Sequence, residues 1–106
     1  LDRPERAETP LNEALRIAPD YAPAWHQRGL LHLEWGRNDN AMSDFEAAVK
    51  ADPQHLDSRL HIAAMYHEAE RFDAAESAWR AVLQLDPDHL VAKTRLDECE
   101  GKLMAR

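Results

Sequence analysis

The sequence has little cysteine and little glycine, and it contains no long apolar run. Its single cysteine, Cys99, excludes an internal disulfide framework and leaves the compartment open, with a slight preference for the cytoplasm. No apolar run approaches the roughly 20 residues of a membrane span, and the first residues lack the order of a signal peptide. The three glycines form no phosphate-binding loop, and no Gly-x-Ser-x-Gly elbow is present. These absences argue against membrane insertion and give catalysis little support.

The composition is that of one small folded domain. The chain has 106 residues, of which 44% are hydrophobic and 31% are charged, unlike the composition of disordered chains. Its formal net charge is -7 and its pI is about 5.3. Because nucleic acids and anionic membranes recruit positive surface patches, we expect neither as a partner.

An internal repeat organises the chain. Two Asp-Pro dipeptides place Pro53 and Pro87 34 positions apart, and Pro19 lies another 34 positions upstream. We infer a 34-residue repeat, and the same shift relates two series of mostly small residues: Ala7, Ala41 and Ala75; Ala14, Ala48 and Val82.

Each period divides into two helix-like segments separated by a polar turn. In the first full unit the first segment runs from about Ala22 to Trp35, with Pro23 near its start and Gly36 just past its end. The second segment runs from about Asn38 to Ala51. The unit is therefore predicted to be a helix, a turn and a helix.

Residues at helical spacing predict which faces are buried. Trp25, Gly29 and His32 share one face, where Gly29 would let the partner helix approach closely. The other predicted stripes mix small and large residues: Ala41, Phe45, Ala48 and Val49; Ile62, Ala63 and Tyr66; Ala75, Trp79, Val82 and Leu83.

The pattern resembles the tetratricopeptide repeat (TPR) family. The resemblance implies an all-α, right-handed superhelix, an α-solenoid of antiparallel helix pairs that binds protein or peptide partners. The matching residues are Trp25, Gly29, Ala41, Phe45, Ala48 and Pro53 in one unit, and Ile62, Ala63, Tyr66, Ala75, Trp79 and Pro87 in the next.

The sequence departs from the family pattern at three positions. Arg28 and Arg59 stand where Leu and Trp are more usual, and His32 replaces a common Tyr, which we expect to be half-buried. We interpret the two arginines as packing residues whose stems cover apolar surface. An anion site remains the alternative.

The chain is predicted to be a single TPR domain, 1–106. Regular helix is expected only from about Pro10, because a proline inside a helix removes a backbone hydrogen bond. A stack that lacks its first helix suggests a piece of a longer protein, or a face that pairs with another copy. The segments are 1–21, the second helix of a partial repeat; 22–55 and 56–89, two full repeats; and 90–106, a capping helix.

The last helix is expected to pack on one side only. Asp97 stands where Gly29 and Ala63 stood in the repeats, which suits a helix on which no further helix docks. Its apolar stripe consists of Ala92, Leu96, Cys99 and Leu103.

The sequence contains no convincing set of catalytic residues. Cys99 lies on an apolar stripe, where it fits a small core residue better than a nucleophile. We therefore predict that the chain is not an enzyme. Acidic residues close in sequence are interpreted as solvated helix surface: Asp44 with Glu46, Glu68 with Glu70, and Asp97 with Glu98 and Glu100.

The histidines do not predict a metal site. His61 and His67 are six positions apart, whereas two ligands on one helix prefer a spacing of four. His55 and His89 are expected to be solvent-facing turn residues. We therefore expect no metal and no other cofactor.

The resemblance implies a concave groove as the binding site. Leu30, Leu33 and Leu60 would form its apolar floor, with Glu34 and Glu68 beside it, which suits an amphipathic helix or an extended segment with apolar and basic side chains. The full set of groove positions is His26, Gln27, Leu30, Leu33, Glu34, Leu60, His61, Ala64, His67, Glu68, Thr94 and Arg95.

Some family members hold the terminal carboxylate of a chaperone peptide with Lys, Asn and Arg side chains. The corresponding positions here hold His26, Gln27, Leu30, Asp57 and His61. That clamp is therefore absent.

Three alternatives to groove binding stay open. The stack could be a spacer whose apolar residues pack against adjoining protein. It could be an accessory module that positions the substrate of a larger enzyme. It could also assemble with itself into a homo-oligomer through the uncapped N-terminal helix. Separately, protonating all six histidines would change the formal charge from -7 to -1, so solubility and groove binding should change below about pH 6.

Overall fold

The computed structural model describes the backbone from residue 4 to residue 105 and the side chains from residue 8 to residue 105. Over these residues the chain is helical with no strand, which confirms the predicted all-α repeat fold. Residues 1–3 of the predicted partial repeat and the side chain of Ala7 lie outside the described part. None of the described helices is both long and apolar enough to cross a membrane. The helices are α1 (Pro4–Ile17), α2 (Ala22–Glu34), α3 (Asn38–Ala51), α4 (Leu56–Glu68), α5 (Phe72–Leu85) and α6 (Leu90–Met104).

The chain divides into two compact units, Leu1–Ser58 and Arg59–Arg106. The first contains α1, α2, α3 and the first turn of α4, and the second contains the rest of α4 with α5 and α6. The predicted single domain and its segment boundaries stay predictions. The buried apolar residues are Leu15, Ala22, Ala24, Ala41, Phe45 and Ala48 in the first unit, and Ala63, Ala75, Trp79, Val82, Ala92 and Cys99 in the second.

In the first unit, α2 packs against α3 at Gly29. A Cβ atom at this position would lie 2.7 Å from Cε1 of Phe45, whose side chain is fully buried. This confirms the prediction that Gly29 permits a close helix contact. The predicted face is buried at Gly29 and His32, but Trp25 is only half-buried, and its indole N–H donates to the carbonyl of Pro19 at 2.8 Å.

The turn inside each helix pair repeats its backbone geometry after 34 residues. The N–H of Gly36 donates to the carbonyl of Leu33, and the N–H of Glu70 donates to the carbonyl of His67, both at 3.0 Å. Gly36 has a φ of 75° and Glu70 has a φ of 58°, so both occupy the left-handed region. The predicted stop at Gly36 thus follows from a conformation that glycine adopts most easily.

The turns after the second helices repeat as well. The imidazole Nδ1 of His55 accepts the N–H of Ser58 at 3.3 Å, and Nδ1 of His89 accepts the N–H of Ala92 at 3.1 Å. Each histidine therefore satisfies a free N–H at the start of α4 or α6, as an N-cap residue does. The expectation that both are simply solvent-facing turn residues is wrong.

The start of α1 differs from the prediction. The helix begins at Pro4 rather than near Pro10, and Pro10 lies inside it. A proline there removes only the N–H that would donate to the carbonyl four residues earlier, and the helix continues on both sides. The other bounds in the first full unit agree with the sequence to within one residue, because α2 ends at Glu34 and α3 spans Asn38–Ala51.

In the second unit, α6 packs on one side, as predicted. Ala92 and Cys99 are fully buried, and Leu96 and Leu103 are half-buried. Asp97 on the opposite side is exposed. The solvent-facing side of α6 therefore presents a charged residue, Asp97, at the middle of the helix.

Candidate functional site

The candidate residues on α2 form an outward face of the first unit. Gln27 and Glu34 are exposed, and Leu30 and Leu33 are half-buried. The two leucines thus keep part of their apolar surface in contact with solvent although they lie on a helix of the core. The α2 face combines this apolar surface with one carboxylate.

His26 does not belong to that face. Its side chain is only 8% exposed, and its Nδ1 lies 2.9 Å from Oγ of the fully buried Ser58. Its ring also packs against Phe45, with centroids 5.5 Å apart, and against His55 at 5.0 Å. The prediction that His26 lines a groove is therefore wrong, because the hydrogen bond and the ring contacts hold it inside the first unit.

The candidate residues of the second unit are more open. They come from α4 and from the first half of α6. Leu60, His61, Ala64 and His67 are half-buried, and Glu68, Thr94 and Arg95 are exposed.

Polar atoms of three side chains lie close to the His67 ring nitrogens, and the ring of Phe72 packs on the ring of His67 with centroids 5.6 Å apart. The Nδ1 of His67 lies 3.3 Å from Nε1 of Trp79 and 3.3 Å from Sγ of Cys99, and its Nε2 lies 3.2 Å from Oε2 of Glu98. Because an indole N–H can only donate, Nδ1 of the neutral ring accepts and the ring proton sits on Nε2, facing Glu98. Arg95 donates to the same Glu98 oxygen at 2.9 Å and lowers the pKa of that carboxyl. His67 therefore serves to position Trp79 and Glu98 rather than to offer a free ring.

A charged pair in the first unit was not predicted. Arg28 donates to both oxygens of Asp44, from Nε at 3.0 Å and from Nη2 at 2.8 Å, and these bonds raise the pKa of Arg28. Asp44 is only 4% exposed. The interpretation of Asp44 as a solvated surface residue is wrong, because its carboxylate is buried against a guanidinium.

The pair extends into a network that joins three helices. His32 is 6% exposed, so it is buried rather than half-buried as expected. Its Nε2 lies 3.5 Å from Oδ2 of Asp44 and 3.8 Å from Oε2 of Glu8. Glu8 also pairs with Arg37 at 3.1 Å, and Arg28 donates to the side chain of Asn12 at 2.9 Å. The interpretation of the Arg28 stem as packing surface stays a prediction, and the structure adds the ion pair of its guanidinium with Asp44.

The sequence contained one signal for this network. Positions 28 and 44 hold opposite charges, whereas the residues 34 positions later are Ile62 and Ala78. A paired departure from the repeat, with complementary charge, indicates that the two side chains meet.

Cys99 is a core thiol. It is fully buried, and burial, together with the carboxylates of Glu76, Glu98 and Glu100, raises the pKa of the thiol. A nucleophilic cysteine needs the opposite shift, because the thiolate is the reactive form. The interpretation of Cys99 as a packing residue is confirmed.

No candidate metal centre is found among the described residues. In the part of the chain with described side chains, no three His, Cys, Asp or Glu residues lie close enough together to hold an ion. The two nitrogens of His67 face different partners.

The geometry defines an all-α helical repeat protein, with helix pairs whose turns recur every 34 residues. A sequence model of the tetratricopeptide repeat matches residues 22–55 and 56–89. The chain belongs to the TPR family.

Two bacterial relatives share part of the sequence. A TPR repeat-containing protein of Rhizobium etli is 34% identical over 55 residues, which is 52% of this chain and 27% of that protein. Protein FlbA of Caulobacter vibrioides is 40% identical over 40 residues, which is 38% of this chain and 7% of that protein. The matches thus span less than a third of either relative.

Solved structures share the fold. The first TPR of Spaghetti (RPAP3), bound to the HSP90 peptide SRMEEVD, has a TM-score of 0.75 at 17% identity, covering 89% of this chain and 76% of that one. A thermophilic TPR protein of Thermus thermophilus, TTC0263, has a TM-score of 0.74 at 28% identity, covering 91% and 49%. The Arabidopsis OM64 TPR domain has a TM-score of 0.73 at 22% identity, covering 84% and 74%.

Proposed function

We propose that this chain is a non-catalytic protein-binding module that holds a peptide or helical segment against the first helices of its repeats. TPR domains commonly mediate protein–protein interaction, and one neighbour of the same fold carries a bound peptide. The outward face of α2 supports this proposal, because Leu30 and Leu33 keep solvent-accessible apolar surface there beside Gln27 and Glu34. A partner side chain can cover that surface.

The same type of face occurs on α4 in the second unit. Leu60 and Ala64 are half-buried, and Glu68 at the end of the helix is exposed. Each unit therefore offers apolar surface next to a carboxylate, and each can be tested by its own variant.

The charges favour a partner with apolar and basic side chains. Arg28, the one arginine of α2, is already held by Asp44 through two hydrogen bonds. The peptide in the Spaghetti structure, SRMEEVD, carries three acidic residues. A partner of that composition would meet Glu34 with no free cation of α2 to offset it, so we propose the opposite charge preference for this chain.

The test is a pull-down from source lysate with matched leucine variants. Leu30→Glu and Leu60→Glu each place a carboxylate on a proposed face. Leu90→Glu makes the same change at a leucine that is 74% exposed and lies outside both faces. We expect the wild type and the Leu90→Glu variant to retain the same partner, and the two face variants to lose it while keeping their helical circular dichroism. Equal retention by all folded variants would contradict the proposal.

Self-association is the second candidate function, and α6 favours it. Leu90, Val91 and Met104 are 74%, 54% and 84% exposed. Leu90 and Val91 are adjacent at the start of α6, and a contiguous exposed apolar pair is the part of this surface that a second copy would cover. Sedimentation tests this candidate. An apparent molecular mass that rises with protein concentration in the wild type, but not in the Leu90→Glu variant, would support self-association over partner binding.

A further inference from the structure

Two histidines 34 positions apart cap the helices that follow them. The N–H of Ser58 donates to Nδ1 of His55, and the N–H of Ala92 donates to Nδ1 of His89. The N–H of each histidine in turn donates to an aspartate carbonyl three residues earlier, at 3.0 Å for His55 and 3.1 Å for His89. The two caps are therefore the same local structure, built once in each unit.

The equivalent position in front of α2 lacks this device. Tyr21 precedes α2 and makes no side-chain cap, and the N–H of Ala24 donates instead to the backbone carbonyl of Tyr21 at 3.1 Å. The chain thus contains two histidine-capped helix starts and one uncapped start in corresponding places.

An imidazole can cap a helix only while its Nδ1 is unprotonated. Protonation turns that nitrogen into a donor, and it then faces the backbone N–H that it had accepted. The new positive charge also sits at a helix N-terminus, where the helix dipole already carries partial positive charge. Acid therefore removes the cap and adds a repulsion at the same atom.

From this geometry we propose that His55 and His89 form a pH-sensitive capping device, which loosens the first turns of α4 and α6 when the two rings take up protons. The ordinary cap residues are Ser, Thr, Asn and Asp. Their side chains accept the same hydrogen bond and do not change protonation near neutral pH, whereas an imidazole does. The device goes beyond the proposed binding function and does not depend on it.

The ring of His26 from α2 packs on the ring of His55 with centroids 5.0 Å apart, and the His26 side chain is buried. The acids nearest in sequence are Asp52 and Asp57, and the Asp52 carboxylate accepts the N–H of Gln54 at 3.0 Å.

His89 likewise has two aspartates close to it in the sequence. Asp86 and Asp88 precede it, and Nζ of Lys93 from α6 lies 3.9 Å from the Asp88 carboxylate. Aspartates near a protonated ring offset part of its charge.

The direct test follows backbone amides by NMR as the pH is lowered. In the full chain, followed from about pH 8 to about pH 5, the amide protons of Ser58 and Ala92 should change chemical shift as the imidazoles that they donate to take up protons. The amide of Ala24, at the corresponding place in α2, is the internal control and should shift less. Equal titration curves for the three amides would overturn the proposal.

A stability measurement gives an independent outcome. His55→Asn and His89→Asn replace each cap with one that accepts at any pH in this range. We expect the urea midpoint of the wild type to fall over the same acid interval by more than that of the double variant. Tyr21→Asn adds a cap in front of α2 and should raise the midpoint equally at both ends of the interval. An unchanged pH dependence in the double variant would refute the capping device.

Discussion

Arg28 and Asp44 form a two-bond ion pair between α2 and α3, at positions where the second repeat has Ile62 and Ala78. The sequence thus places opposite charges at these two positions in one repeat and apolar residues at the corresponding positions of the other. Asp44 is buried and Arg28 is partly exposed. The pair therefore satisfies a buried carboxylate, and its main energetic consequence appears when one partner is removed.

We predict that Arg28→Ile destabilises the chain strongly, because it leaves the Asp44 carboxylate buried without its cation. Losing one partner of a buried pair costs about 3–5 kcal/mol, and the partial exposure of Arg28 places this change near the lower end. The double variant Arg28→Ile with Asp44→Ala copies the second repeat and should recover most of the loss. Chemical denaturation of the two single variants and the double variant gives the coupling. Additive single effects would show that the pair does not act as a unit.

Gly29 and Gly101 are predicted to respond oppositely to alanine. At Gly29 the new Cβ would meet the Phe45 ring at 2.7 Å, so Gly29→Ala should cost about 1–3 kcal/mol by overpacking. At Gly101, in α6, nothing lies within 4 Å of the added atom. Alanine there should raise the free energy of unfolding by at most about 1 kcal/mol, because it has the higher helix propensity. Thermal or urea unfolding of both variants measures the contrast. A neutral Gly29→Ala would contradict the close approach.

The repeated turn predicts a reciprocal pair of substitutions. Gly36→Ala should cost about 1–2 kcal/mol, because φ is 75° there and no side chain crowds the site, so the loss is purely conformational. Glu70→Gly relieves the same strain at φ 58°, offset by a more flexible unfolded chain, and should gain up to about 1 kcal/mol. Equilibrium unfolding of the two variants measures the sign of each change in the free energy of unfolding. A loss of stability in Glu70→Gly would mean that the Glu70 side chain contributes more than its backbone costs.

Cys99 predicts a stability change at alkaline pH. Because burial and nearby carboxylates raise its pKa in the folded chain, the unfolded chain loses the thiol proton first. The stability that the protonated thiol contributes is present below the pKa of the thiol in the unfolded chain. It is lost as the pH rises above about 8.5, where thiols lose their proton. The free energies of unfolding of the wild type and of the Cys99→Ala variant should therefore converge as the pH rises. A constant difference between them would contradict the raised pKa.

The elements and main contacts of the fold could be read from local signals. Pro23 and Gly36 mark the two ends of α2 because each residue favours one backbone conformation. Gly29 could be predicted to permit a close helix approach because it lies at helical spacing from Trp25 and His32. These predictions depend on backbone geometry, which short sequence patterns record well.

The polar contacts could not be read in the same way. His26, Asp44 and His67 all looked like surface or groove residues, yet each is held by side chains from another helix. Which polar groups meet across a helix contact depends on rotamers and on the residue opposite, and a single-helix pattern does not contain that information. Only the Arg28–Asp44 pair left a trace, as a joint departure from the repeat.

We propose that the α2 face binds a partner with apolar and basic side chains. Binding to a peptide array that varies charge at constant apolar content tests it most directly, with the wild type, Leu30→Glu and Leu90→Glu compared side by side. We expect the wild type and Leu90→Glu to retain apolar peptides of positive charge, and Leu30→Glu to lose them. Preference for acidic peptides such as SRMEEVD, or equal binding by all three proteins, would contradict it.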